Sequence, residues 1–323
     1  MKKENLTGFM NEVIEELCRQ ERFGTAHIYR YTLQSFTEFV GGGVIFFGAL
    51  SKRSLHRFQS YLEDKQRSYN TISTYTRVLR AVYNRAVDCG LIRGEFRLFA
   101  GLKTGVASER KLAVTAPQMQ QLLGVPEKGG KYSAKVQEAQ DSLSLMTLLQ
   151  GMPYIDLLHL HKRDLEGDLL TCRRRKTGTE LCVRVTAEAM RLIERYRNYD
   201  EQSPYLLNFL SGTKTGEDAF WEYREKLREL NRNLSLLPGL CGLKGIKVSS
   251  YTARHTWATL AKYCQVPEEI ISEGLGHSSL EVTRTYLKSF EGGELEKANR
   301  MIIDYIYNGK KTLWGDCLKR ITS

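Results

Sequence analysis

The sequence predicts a mainly helical protein of the α+β class, with one small β-sheet and two domains. Three observations carry that reading. Apolar residues recur at spacings of three and four through most of the chain. The period changes to two only between Asp168 and Val185. A small, polar run from Thr104 to Arg110 (TGVASER) has neither period and reads as a linker. At roughly 150 residues per domain, a chain of 323 residues suggests two. The expected division is 1–103, a linker over 104–113, and 114–323.

Composition narrows the class of function. Hydrophobic residues make up 41% and charged residues 26%, which is enough apolar material for a real core and excludes a mainly disordered chain. Lys+Arg (48) exceeds Asp+Glu (37), for a formal charge of +11 that suits a polyanionic partner. The longest apolar stretch, Val44 to Leu50, is interrupted by Gly48 and falls far below the ~18 residues of a membrane span, so no membrane partner is expected. No apolar signal core follows Met1-Lys-Lys-Glu-Asn, which speaks against secretion.

The seven cysteines are scattered without a C-x-x-C pair, as expected of a reducing cytosol rather than a disulfide or zinc framework. His159 and His161 form an H-x-H, but Leu157, Leu158 and Leu160 surround them. A helix surface is the expectation there, with no metal site.

In the N-terminal third, Phe9, Val13, Ile14 and Leu17 mark a helix over Leu6 to Arg19. A second covers Tyr29 to Phe39 until Gly41-Gly42-Gly43 breaks it, and a third spans Lys52 to Leu62. A fourth is capped by Asn70 or Thr71 and stopped by Gly90. Ile72, Tyr75, Leu79, Val82, Tyr83 and Ala86 fall on one face of it. Ser73, Arg77, Arg80 and Asn84 fall on the opposite face at i, i+4, i+7 and i+11. Short donors and long guanidinium arms on one side suit a DNA groove, and equally an ordinary solvated face.

Beyond the linker, helices are expected from Thr115, from Ala134 to Leu149, and from Tyr154 to Leu160. Leu169 to Arg173 and Leu181 to Val185 flank Lys176-Thr-Gly-Thr, which makes a β-hairpin with a glycine turn. Helices resume at Ala187. Ser249-Ser250 can cap a helix holding Tyr251, Arg254, His255 and Trp257, and the i, i+3 spacing gives Tyr251 and Arg254 one face. Pro267 suits the first turn of the next helix, which Gly274 and Gly276 end. His277 follows directly. Ser278-x-x-Glu281 is a capping-box pattern for a helix that carries Tyr286. After Gly292-Gly293, an apolar stripe of Leu295, Ala298, Ile302, Tyr305 and Ile306 marks a last helix near 294–307.

The segment Tyr251-Thr-Ala-Arg-His-Thr-Trp-Ala-Thr, then Gly-Leu-Gly-His277, then Tyr286, closely resembles the C-terminal motif of tyrosine recombinases of the phage-integrase type. Asp156-Leu-Leu-His-Leu-His-Lys-Arg-Asp164-Leu is similar to that family's acidic helix end, and Arg173-Arg-Arg-Lys176-Thr-Gly to its lysine hairpin. Thr71 to Leu91 looks like the last helix of its DNA-clamping domain. The likeness runs from about residue 5 to 308.

The resemblance implies a helical core-binding bundle and a tyrosine-recombinase catalytic domain that grip duplex DNA as a C-clamp. It implies Tyr286 as nucleophile, with Arg254 and His277 on the phosphate and Lys176 as the acid for the leaving oxygen. It implies no cofactor and no metal, because the phosphotyrosyl bond keeps the energy for rejoining. The implied partners are duplex DNA with short inverted-repeat core sites, three further copies of the chain in a homotetramer, and an accessory DNA-bending protein. The helix near 294–307 would dock on a neighbouring protomer. A cytoplasmic, nucleoid-associated location follows. The first helix begins too near the start for an extra arm-binding domain, which favours a simpler recombinase for integration, excision or inversion.

Two positions depart from the family pattern. Tyr251 stands where the family has a histidine, and a phenol brings no positive charge near neutral pH. The family's first arginine falls at Pro153, or in a variant spacing at Gln150, and neither is arginine. Losing one such donor costs about 10²–10³ in rate. Gln150 keeps a neutral N–H donor that would lessen the loss, and Arg173, Arg174 or Arg175 on the hairpin are further candidates to reach the phosphate. The alternatives are a catalytically impaired DNA-binding member of the same fold and a type IB topoisomerase.

Overall fold

The computed structural model describes residues 5–106, 112–124, 131–264, 266–277 and 282–283. It is mostly helical with one three-stranded sheet. The chain divides into two compact units. The first comprises Met1–Glu109 with Lys214–Trp221, and the second Arg110–Thr213 with Glu222–Ser323.

The first unit is built on four helices: α1 (Leu6–Arg19), α2 (Phe23–Val40), α3 (Lys52–Asp64) and α4 (Tyr69–Asp88). Each start has a side-chain cap except that of α2. Asn5 accepts from the Gly8 N–H, Ser51 from Ser54, and Ser68 from Thr71. Ser68 rather than Asn70 or Thr71 thus starts α4. Gly41 ends α2 at a φ of +94°, where a side chain would be strained. The helices bury Leu6, Met10, Phe36, Phe58, Leu62 and Leu79 against one another, with the Phe36 and Phe58 rings edge to face at 5.1 Å.

Arg77, Arg80 and Asn84 lie exposed along α4. Ser73 does not share their exposure. It is fully buried, and its hydroxyl donates to the Gly105 carbonyl at 2.5 Å. The offsets i+4, i+7 and i+11 keep all four within one narrow arc, but the backbone at Gly105 covers Ser73 while the other three stay in water.

The second unit holds α5 (Ala116–Leu122), α6 (Ala134–Leu148), α7 (Tyr154–Leu158), strands β1 (Leu165–Glu166), β2 (Leu169–Arg173) and β3 (Glu180–Arg184), and α8 (Ala187–Arg195). It continues into α10 (Leu237–Leu240), α11 (Thr252–Tyr263) and α12 (Glu268–Leu275). Helix α9 (Gly216–Leu234) enters it at Glu222. The sheet is antiparallel in the order β1-β2-β3, with Leu170 opposite Val183 and Cys172 opposite Leu181. The two-residue β1 was not anticipated, being too short to show a period. Leu143, Met146, Leu157, Leu170, Val183 and Ile193 belong to the core beneath the sheet.

His159 is not on a helix surface. It caps the end of α7, half-buried, with Nδ1 2.7 Å from the Ile155 carbonyl and its ring edge-on to Tyr205. Burial, and then the charge of Arg175, lowers its pKa to about 4, so it is a neutral packing group. Among the described residues, no helix is long and apolar enough to cross a membrane, and no cluster of three or more metal-ligating side chains occurs.

Candidate active site

The site grows from three chain reversals in the second unit. The first joins α6 to α7. Gln150 and Gly151 both sit in the left-handed region, at φ of 59° and 69°, and turn the Gly151 carbonyl toward α11. A Cβ at Gly151 would lie 3.0 Å from Arg254 Cα, so only glycine permits this approach. Pro153 then caps α7 in extended backbone and starts a helix whose first turn carries Asp156.

The second reversal is the β2–β3 loop. Along β2, Leu170 and Cys172 point into the core while Leu169, Thr171 and Arg173 face water. The same alternation carries Arg174 inward. Arg174 is only 7% exposed, whereas Arg173, Arg175 and Lys176 are exposed. Its Nε donates to Asp156 at 2.6 Å in a buried ion pair. The other Asp156 oxygen accepts from the Arg175 N–H at 2.9 Å, so both carboxylate oxygens are engaged.

The third reversal ends α12. Gly276 adopts the left-handed conformation at φ 62°, and His277 follows it. The last carbonyls of a helix have no partner within it. Here arginines cap them. Arg254 Nη2 donates to the Leu275 carbonyl at 2.6 Å, and Arg174 Nη1 donates to the same oxygen and to Gly276 O at 3.4 Å. A Cβ at Gly276 would come within 3.2 Å of Arg174 Cγ, so the glycine also leaves the channel through which that side chain passes.

Arg254 is 3% exposed and donates from Nη1 to Gly151 O at 3.0 Å. Its Nη2 lies 2.8 Å from His277 Nε2, and His277 Nδ1 lies 2.8 Å from Thr283 Oγ1. A guanidinium can only donate, so Nε2 is the acceptor and the ring N–H sits on Nδ1, directed at the Thr283 hydroxyl. Desolvation, then Arg254, Arg174 and Lys176 in that order, lowers the pKa of His277 to about 4 and keeps it neutral. Lys176 stands exposed on the hairpin loop, and its charge reaches the imidazole.

The structure therefore brings Arg254 and His277 into contact, with Lys176 close enough to act on the ring. Tyr251 stands apart. It caps α11 rather than lying within it, is 58% exposed, and has its ring 6.4 Å from that of His255. Gln150 is partly buried beside Gly274 of α12, and its amide makes no hydrogen bond among the described residues. Tyr286 and the helix near 294–307 lie outside the described residues. Asp156 as the anchor of Arg174, and the Gly151 and Leu275 carbonyls as acceptors, were not singled out from sequence. The inward parity of residue 174 was the available signal.

Comparison with known proteins identifies the family. The family model described as the phage integrase SAM-like domain matches residues 5–97, and that of the phage integrase family matches residues 113–292. The chain belongs to the phage integrase family, whose members are site-specific tyrosine recombinases. No curated protein sequence matches it.

Among solved structures, XerH recombinase bound to a palindromic difH substrate after cleavage is similar at a TM-score of 0.64 and 18% identity, over 88% of this chain and 83% of that one. A λ integrase fragment, residues 75–356, bound as a dimer to a COC′ core site, matches at 0.61 and 13% identity, over 90% and 97%. The Tn1549 transposon integrase with transposon right-end DNA matches at 0.59 and 15% identity, over 92% and 99%. At these identities the likeness establishes the fold.

Proposed function

We propose that this recombinase cuts and rejoins duplex DNA through a tyrosyl phosphodiester, with Tyr286 as nucleophile and Arg254, His277 and Lys176 around the scissile phosphate. The observation that carries the reading is the contact between the buried Arg254 guanidinium and His277 at 2.8 Å, in a pocket where burial, and then the charges of Arg254, Arg174 and Lys176, keep the imidazole neutral. Such a pocket is preorganised for an anion.

The chemistry balances without cofactor or redox change. The Tyr286 oxygen forms a bond to phosphorus as its phenolic proton leaves to solvent, and the P–O5′ bond breaks. The Lys176 ammonium returns a proton to the 5′ oxygen. The product is a 3′-phosphotyrosyl link that a second 5′-hydroxyl reverses. An entering phosphate offsets the charges of Arg254, Arg174 and Lys176. It therefore raises the proton affinity of His277, which can then donate from Nε2 to the phosphate while Nδ1 stays on Thr283. Tyr251, at the edge, supplies at most a neutral O–H donor.

A λ integrase structure of the same fold is a tetramer bound to a Holliday junction, at a TM-score of 0.61. We extend that arrangement to this chain: four protomers on two inverted-repeat core sites, with strands passed through a four-way junction. The exposed Arg77, Arg80 and Asn84 of α4 serve the core-site duplex.

A nicked suicide duplex carrying the chain's own core site, located by footprinting on DNA flanking its gene, tests this. A covalent protein–DNA complex on a denaturing gel that disappears with Tyr286→Phe is the expected result. Binding without covalent product would favour the non-cutting member of the fold, and relaxation of supercoils at any sequence would favour the topoisomerase.

A further inference from the structure

We propose that Arg174 is the second guanidinium that clamps the scissile phosphate, supplying from the β2–β3 hairpin the charge that Pro153 and Gln150 do not. The inference rests on the cut-and-rejoin reading and adds a catalytic residue to it.

Four observations converge. Arg174 is the only buried member of the run Arg173-Arg174-Arg175. Its guanidinium meets that of Arg254 at a shared acceptor, the Leu275 carbonyl, immediately before His277. Two buried cations this close repel each other, and burying them is unfavourable unless charge is compensated. Asp156 neutralises one of the pair. A phosphate diester would bring a negative charge to a site where two guanidiniums converge.

The donor count also fits. An arginine has five N–H bonds in a planar fork. The Arg174 Nε bond goes to Asp156, and the two on Nη1 go to Leu275 O and Gly276 O. The two on Nη2 have no acceptor among the described residues. Asp156 and the helix end hold the fork rigid, so the remaining edge is preset for a phosphate oxygen.

Pro153 and Gln150 are unsuited to this task for local reasons. Pro153 spends its position capping α7, which presents Asp156 to Arg174. Gln150 is committed to the left-handed turn beside Gly274. The place the family normally gives to an arginine has thus become the mount for an arginine from another element.

Two linkages and three variants test the assignment. On the nicked suicide duplex, R174K should cleave about 10²–10³-fold slower than wild type, while R173K and R175K stay within about threefold. The same duplex is then made with a methylphosphonate at the scissile position, which is neutral and needs less charge to stabilise its transition state. There the R174K deficit should shrink to under about tenfold. Lysine keeps a cation against Asp156, and an unchanged thermal midpoint for R174K would show that the fold is intact. R174K cleaving the phosphodiester at the wild-type rate would overturn the assignment. So would an equal deficit on both linkages, which would make Arg174 a structural support only. A wild-type chain that never forms the covalent complex would overturn the cut-and-rejoin reading itself, and this inference with it.

Discussion

Arg174 and Arg254 donate to one oxygen, the carbonyl of Leu275, although the first follows a strand and the second stands in the first turn of a helix. This shared acceptor ties the hairpin, α11 and the end of α12 into one unit. Its mechanical base is the Asp156–Arg174 pair, whose side chains are 2% and 7% exposed.

Breaking that pair should be far more damaging than breaking a surface one. Asp156→Asn leaves the buried Arg174 charge uncompensated and should lower unfolding stability by about 3–5 kcal/mol. Asp168→Asn removes the exposed Arg184–Asp168 contact on the same hairpin and should change stability by about 1 kcal/mol or less. Urea titration of both variants checks the contrast; equal effects would refute a buried electrostatic anchor.

Gly151 should tolerate no side chain. A Cβ there meets Arg254 Cα at 3.0 Å in backbone already at φ +69°. Gly151→Ala should lose about 1–3 kcal/mol of stability and slow covalent complex formation, because Arg254 must shift. Gly167, also left-handed at φ +60° but with nothing within 4 Å of its Cβ, is the control. Gly167→Ala should leave cleavage unchanged.

The face of α4 separates into two behaviours. Arg77→Ala and Arg80→Ala should weaken core-site binding and each reduce the log-log salt slope by about one, as loss of a phosphate contact does. Ser73→Ala should leave the salt slope alone and lower stability, since its hydroxyl is buried on the Gly105 carbonyl. Filter binding across a salt series, paired with thermal melts, distinguishes them.

Acid should weaken the DNA-free protein through its histidines. His159 and His277 both have a folded pKa near 4, below the ordinary value of 6.5. The unfolded chain therefore binds more protons between those values. Stability is at its full level above about pH 6.5 and falls as pH is lowered toward 4. Denaturation midpoints at pH 7 and pH 5 should differ in that direction for wild type, and less for His159→Gln. NMR titration of the His277 ring should show its pKa rising when core-site DNA is bound; no rise would refute the phosphate contact.

Much of this was legible in the amino-acid order. The span of α1, the hairpin around Gly178 and the Gly276–His277 junction all follow from local rules of period, turn and cap. Ser73 was misplaced because the helix pattern is decided at its edges by the tertiary neighbour, here Gly105. Tyr251 shares i, i+3 spacing with Arg254, yet the first sits at the cap and turns out while the second turns in. Which of three consecutive arginines is buried rested on strand parity alone. The partner that fixes it, Asp156, is remote in sequence, and no local pattern announces a salt bridge across such a gap.

The guanidiniums of the site are also the stoppers of a helix. Residues 274 to 277 can present two bare carbonyls only because α12 ends at Gly276. Should that terminus fray, or wind on by another residue, both arginines would lose their footing together. On the proposed reading, strand cleavage therefore depends on the persistence of a single helical turn.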